Sequence, residues 1–178
     1  MRQLVLVSGA PGSGKSTLAR PLAEALRMPL VSKDVIKETL FDVLGHVADD
    51  ELESSRRLGG VAMTLLWRLA AECPAVVLEA NFRTGSEDER QRVLELSPSP
   101  VEVYCRVPSE VAAERYSRRG ASRDHHEVHV VRSIRATLLA EVAEPFGLGP
   151  VIEVATTEPV DVNVVAIAVH DALGRAVP

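Results

Sequence analysis

The residues best able to do chemistry lie near the start of the chain. Gly9-Ala10-Pro11-Gly12-Ser13-Gly14-Lys15-Ser16, continued by Thr17, follows the spacing G-x-x-x-x-G-K-[ST] in full. Glycines at these positions let the main chain curl until successive N–H groups point inward, a nest for phosphate oxygens. A helix beginning at Lys15 aims its positive dipole end at the same point. The Lys15 ammonium reaches the outer phosphates of a bound polyphosphate, and the Ser16 hydroxyl is a ligand suited to Mg2+. Average residue usage gives this pattern by chance in roughly 1% of chains of this length. The rival dinucleotide fingerprint fails, because its third glycine would fall on Thr17.

Three further clusters fit the same chemistry. Val31-Ser32-Lys33-Asp34-Val35-Ile36-Lys37 sits where a second strand gives way to a helix, 19 residues after Lys15. A carboxylate at Asp34 can take the proton of an attacking hydroxyl, or simply cap the helix, and Lys37 one turn on can meet an anionic group or steady that carboxylate. Val76-Val77-Leu78-Glu79-Ala80-Asn81-Phe82-Arg83 places an acid at the end of an aliphatic strand. There Glu79 can help Ser16 to hold Mg2+, or pair with a basic neighbour, while Asn81 and Arg83 face a substrate. Arg115, Arg118, Arg119 and Arg123 fall within nine residues around Gly120. They read either as an arginine-bearing lid over residues 116–128, hinged at Gly120, or as a solvated helix end. Arg115 and Arg119 share a helical face and are the candidates for stabilising charge on a transferred phosphoryl group. His125, His126 and His129 lack the partners of a metal site and read as surface residues.

These groups need a scaffold that brings distant strand ends together. Aliphatic runs at Gln3–Ser8, Leu30–Val31, Ala75–Ala80, Val101–Arg106 and Val151–Ala155 read as strands covered on both faces. Between them, helices are expected over Lys15–Leu26, Asp34–Leu44, Asp49–Glu72, Ser86–Leu96, Ser109–Arg118, Glu127–Glu144 and Asp161–Leu173. In the long third helix, Leu58, Val61 or Ala62, Leu65 and Leu69 form the expected buried stripe, and Gly59-Gly60 is a weak point or a close-packing site. The alternation predicts an α/β protein with a parallel sheet whose carboxyl edge gathers the loop, Asp34 and Glu79.

Composition narrows the function. At 178 residues the chain fits one domain, residues 1–178, with a core that needs no disulfide or structural metal. Cys73 and Cys105 read as two buried thiols. A net charge of −5 and an aromatic content of 3% argue against a nucleic-acid partner. The longest apolar run, Val164–Val169, has six residues, far short of a membrane span, and no signal-peptide core precedes Ser8. A cytoplasmic enzyme, monomeric or homodimeric, is expected.

The loop Gly9–Thr17, the Ser-x-Asp-x-x-Lys run at Ser32–Lys37, the strand ending at Glu79, the arginine segment and the closing Thr156-Thr157-Glu158-Pro159-Val160 together resemble a group of small phosphate-loop kinases. It includes chloramphenicol phosphotransferase, zeta toxins and the kinase domain of polynucleotide kinase, all ATP-binding P-loop NTPases of AAA type. The resemblance implies a three-layer sandwich with sheet order 2-3-1-4-5, ATP and Mg2+, and γ-phosphate transfer to a hydroxyl with Asp34 as base. It also implies that Thr157 lies near the nucleotide. Lys37 stands where the group often has Arg, Glu79 where it often has Asp, and Ala155 where Asp commonly precedes the threonine pair. The expected activity is phosphorylation of a small molecule such as an antibiotic, sugar or nucleoside. The alternatives are a polynucleotide or RNA end kinase and a non-catalytic, nucleotide-gated regulator.

Overall fold

The computed structural model describes residues 2–122, 125–130 and 142–175. Five strands form one parallel sheet: β1 (Gln3–Ser8), β2 (Leu30–Ser32), β3 (Ala75–Glu79), β4 (Val101–Arg106) and β5 (Val151–Ala155). Their spatial order is β2-β3-β1-β4-β5, the order that the resemblance implies. Among the described residues the helices are α1 (Lys15–Leu26), α2 (Lys33–Leu44), α3 (Glu51–Glu72), α4 (Glu87–Leu96), α5 (Ser109–Gly120) and, after β5, α6 (Val162–Arg175).

Strand β1 shows why the sheet is covered on both sides. Val5 and Val7 point to one face and pack with Leu18 and Leu22 of α1 and with Val165 and Val169 of α6. Leu4 and Leu6 point to the other and meet Leu66 and Trp67 of α3, Val93 of α4, and Phe146. Period-two alternation therefore builds two cores from one aliphatic run. Cys105 is buried in the first layer, whereas Cys73 is only half-buried at the margin of the second. The register sets Glu79 beside both Val7 and Ser32, so the ends of β1, β2 and β3 meet at one edge. On β4, the buried Glu102 carboxylate accepts from the Ser8 hydroxyl and, at 2.9 Å each, from the Phe146 and Gly147 amides.

Three expectations need correction. The buried stripe of α3 is Leu58, Ala62, Leu66 and Ala70, with Trp67 beside it; Val61 and Leu69 are each 47% exposed and Leu65 is at the surface. The i, i+4 frame that meets the sheet is thus one residue away from the leucine frame. Helix α5 runs two residues past the expected end, to Gly120, which is buried in its last turn instead of standing between helices. Of the helix expected over Glu127–Glu144, residues 131–141 lie outside the described residues, and its ends at 127–130 and 142–144 are turn and irregular structure. Arg123 also lies outside them. Among the described residues no helix is long and apolar enough to cross a membrane.

Candidate active site

The loop between β1 and α1 is held by its own main chain. The Ser13 amide donates to the Ala10 carbonyl at 3.0 Å, and Gly14 caps α1 at φ 86°, a conformation that side chains disfavour. A Cβ on Gly12 would stand 2.2 Å from the Ala112 carbonyl oxygen and 3.2 Å from the Tyr116 amide nitrogen, so the loop presses directly on α5. Lys15 is buried, and its Nζ donates to the Ala10 carbonyl at 3.0 Å. Burial pushes its pKa down, and the Glu79 and Asp34 carboxylates offset that only in part.

Glu79 is 2% exposed. Its Oε1 accepts from the Ser16 hydroxyl at 3.2 Å and its Oε2 from the Ser32 hydroxyl at 2.5 Å. Two hydroxyls around one carboxylate make an all-oxygen set that fits Mg2+. Ser32 enters the sequence reading only as the first residue of the Ser-x-Asp-x-x-Lys run; the register that pairs it with Glu79 sets its hydroxyl at the carboxylate.

Asp34 sits in the first turn of α2, which it does not cap through a side-chain hydrogen bond. Its side chain is 31% exposed and lies 3.8 Å from the Lys33 ammonium. Burial pushes its pKa up, but Lys33, His129, Lys15 and Arg119 together outweigh this and hold it below the ordinary carboxylate value. Asp34 is therefore ionised at neutral pH.

Lys37 is buried and committed: its Nζ donates to the Ser55 hydroxyl at 2.7 Å and to the Val128 carbonyl at 3.3 Å, fastening α2 to α3 and to the segment after the arginines. Burial, helped by Lys33, lowers its pKa to about 8, against the pull of Asp34 and Glu38. An unfolded chain keeps this proton up to the ordinary value of 10.5. The folded state thus binds fewer protons between about pH 8 and 10.5, and stability rises with pH across that window. Urea unfolding across it is expected to show the rise in the natural chain and a smaller one in Lys37→Met.

Arg83 is gripped by the buried Glu89 at the start of α4, with its Nε and Nη2 each 2.7 Å from Oε1 and its amide 2.9 Å from Oε2. Asn81 has an amide oxygen that is buried without a hydrogen-bond partner among the described residues. The two lid arginines part company. Arg119 lines the cavity, its guanidinium 5.7 Å from the Tyr116 ring centre. Arg115 lies outside the cavity lining and donates to the Thr156 and Thr157 carbonyls at 2.9 and 3.3 Å. Thr157 is exposed; it is Thr156 that is buried and donates to the Ser13 carbonyl at 2.6 Å, tying the end of β5 to the phosphate loop.

The histidines also depart from the surface reading. His129 lines the cavity, its Nε2 2.9 Å from Glu38 Oε1, and His126 Nε2 lies 3.1 Å from Asp42. Burial lowers the His129 pKa despite the pull of Asp34 and Glu38. Its partner is 91 residues away, a pairing that no local signal carries.

One cavity of about 730 Å³ joins these groups, running past Lys15, Ser16, Asp34, Lys37, Asn81 and Arg119. A parallel sheet with a glycine loop, a buried lysine and a hydroxyl–carboxylate pair at its carboxyl edge defines a P-loop nucleotide-binding protein. The chain belongs to the AAA domain family, whose model matches residues 4–145.

Its relatives are small P-loop kinases. It is 28% identical over 128 residues to the cytidylate kinase of Sulfolobus acidocaldarius, covering 68% of this chain and 62% of that protein. It is 33% identical over 107 residues to the shikimate kinase of Paracidovorax citrulli, covering 56% of this chain and 58% of that protein. The chain thus spans about three fifths of the length of these curated relatives. The crystal structure of a Chloroflexus aurantiacus protein described as a kinase superposes with a TM-score of 0.80 at 34% identity, over 96% of this chain and 98% of that one.

Proposed function

We propose that this protein is an ATP-dependent kinase that transfers the γ-phosphate to a hydroxyl group of a small molecule. The observation that carries the reading is the continuity of one cavity from the phosphate loop to an ionised Asp34 and beyond it to uncommitted volume. In this reading the amides of residues 9–16 and the Lys15 ammonium hold the triphosphate. Ser16 and Glu79 would hold Mg2+, which neutralises charge on the phosphates when bound. Asp34 accepts the proton of the acceptor hydroxyl while that oxygen bonds to the γ-phosphorus. The bond from phosphorus to the β-γ bridging oxygen breaks, and ADP leaves with the electron pair. Arg119 faces the charge that spreads over the transferred group, and Arg115 holds the loop after β5 against α5.

A polynucleotide end kinase would need a basic groove leading to Asp34, and the cavity does carry Lys15, Lys33, Lys37, Arg56, Arg83 and Arg119 against Asp34 and Glu89; what weighs against that reading is the net charge of −5 and the 3% aromatic content. A purely regulatory nucleotide switch has no use for a cavity beside Asp34. The test is transfer from γ-labelled ATP to a panel of hydroxylated antibiotics, sugars, nucleosides, nucleoside monophosphates and oligonucleotides. Label is expected on a small hydroxyl compound, with little dependence on salt. Label on a phosphate group would move the acceptor class, label on oligonucleotides alone would favour the end kinase, and none on any compound would favour the regulator.

A further inference from the structure

Helix α3 carries a second stripe besides the one in the core. Leu52, Ser55, Arg56, Gly59, Gly60 and Met63 recur at helical spacing, and all line the cavity. At the centre of this stripe there is no side chain at all. A glycine inside a helix costs roughly 1 kcal/mol relative to alanine, so a pair in the middle of α3 calls for a reason. The backbone gives none, because neither residue has a positive φ. Packing gives none either. Among the described residues, a Cβ on Gly60 would meet nothing within 4 Å, and one on Gly59 would meet only Lys37 Cε at 3.9 Å, an ordinary contact. What the pair does leave is an open stretch of cavity wall. From Arg56 to Met63 the helix rises about 10 Å, ample for a ring and one substituent.

We infer that Gly59 and Gly60 form the wall on which the acceptor lies, and that they set its size and class. The inference rests on the kinase reading above and names the acceptor side of that site. Helical amides are already paired, so bare backbone offers van der Waals contact to a flat face, and Leu52 and Met63 extend that contact at either end. The polar demand comes from Asp34, which faces the acceptor hydroxyl; Asn81 adds none. The buried amide oxygen of Asn81 has no partner among the described residues, and leaving such a group unpaired is costly. That oxygen is closed to a water-sized group, so it offers the acceptor no hydrogen bond in this structure. The acceptor class is therefore cyclic and hydroxylated, its ring on α3 and its reacting hydroxyl at Asp34.

The test uses shikimate, cytidine and myo-inositol as probes, with the natural chain, Gly59→Ala, Gly60→Ala and Gly60→Leu. Thermal unfolding should be as high or higher in both alanine variants, and ATP affinity by calorimetry should be unchanged in all three. Gly60→Leu should weaken any probe that binds the ADP-loaded natural chain by about tenfold or more, with the loss in KM rather than kcat where the probe is phosphorylated. A lower unfolding temperature in both alanine variants would show that the fold needs the glycines and would overturn the inference. So would equal probe binding by Gly60→Leu and the natural chain, or no binding of any probe at millimolar concentration. Probe binding that Gly60→Leu abolishes, without phosphorylation in the natural chain, would keep the wall and remove the kinase reading. Phosphorylation that Gly60→Leu retains would do the reverse.

Discussion

Replacing Asp34 with asparagine is expected to leave ATP affinity nearly intact and to lower turnover roughly 10²–10⁴-fold. The two side chains have the same shape, so the first turn of α2 and the cavity wall are kept. The amide, however, has no basic oxygen to receive a proton. Asp34 can serve because Lys33, His129, Lys15 and Arg119 outweigh its burial and keep it charged. The same surroundings, chiefly the Lys33, Lys15 and Arg119 cations, make it a weak base on its own. A bound triphosphate beside Lys15 and Arg119 supplies negative charge that cancels part of their pull, so the carboxylate grows more basic as the nucleotide docks. The acid limb of kcat should accordingly lie at higher pH than the limb of kcat/KM for ATP, since the first reports the loaded site and the second the free one. Single-turnover label transfer with calorimetric titration of ATP measures both effects. Unchanged turnover in the asparagine variant would remove the base role.

Lys15→Ala should weaken ATP binding by roughly 10²-fold, which is about 2.7 kcal/mol, and should lower transfer further. The ammonium is enclosed by the loop and shares its surroundings with Glu79 and Asp34. Its removal leaves these two carboxylates facing incoming phosphates with no buried cation between them. The penalty is thus one of lost attraction and of repulsion left uncompensated. Arginine should not rescue it, because a planar guanidinium does not fit a position where Nζ already touches the Ala10 carbonyl. Calorimetry of ATP with the Lys15→Ala and Lys15→Arg variants decides the matter. Affinity retained in the alanine variant would mean that the loop amides bind the polyphosphate without it.

The loop, the sheet and Glu79 could be read from the chain because each rests on short-range pattern: glycine spacing, aliphatic runs, an acid at a strand end. Asp34 could be read because β2 and α2 adjoin. What could not be read depends on the third dimension. Helix α3 is rich in leucine all round, so the frame of Leu58, Leu65 and Leu69 looked as good as that of Leu58, Ala62 and Leu66, and only contact with β1 separates them. Arg115 and Arg119 share a helical face in sequence, yet one reaches the carbonyls after β5 and the other the cavity. Of the threonine pair, the one that points inward at the end of β5 anchors the loop, and adjacency gives no hint of which it is. His129 and Lys37 depend on partners 91 residues away along the chain.

The pressure of Gly12 against Ala112 and Tyr116 bears on where the site holds Arg119. With no side chain between them, the main chain of α5 at Ala112 and Tyr116 lies directly on the loop, and Arg119 is carried to the wall of the same cavity. A side chain at position 12 would push α5, and Arg119 with it, away from the phosphate nest.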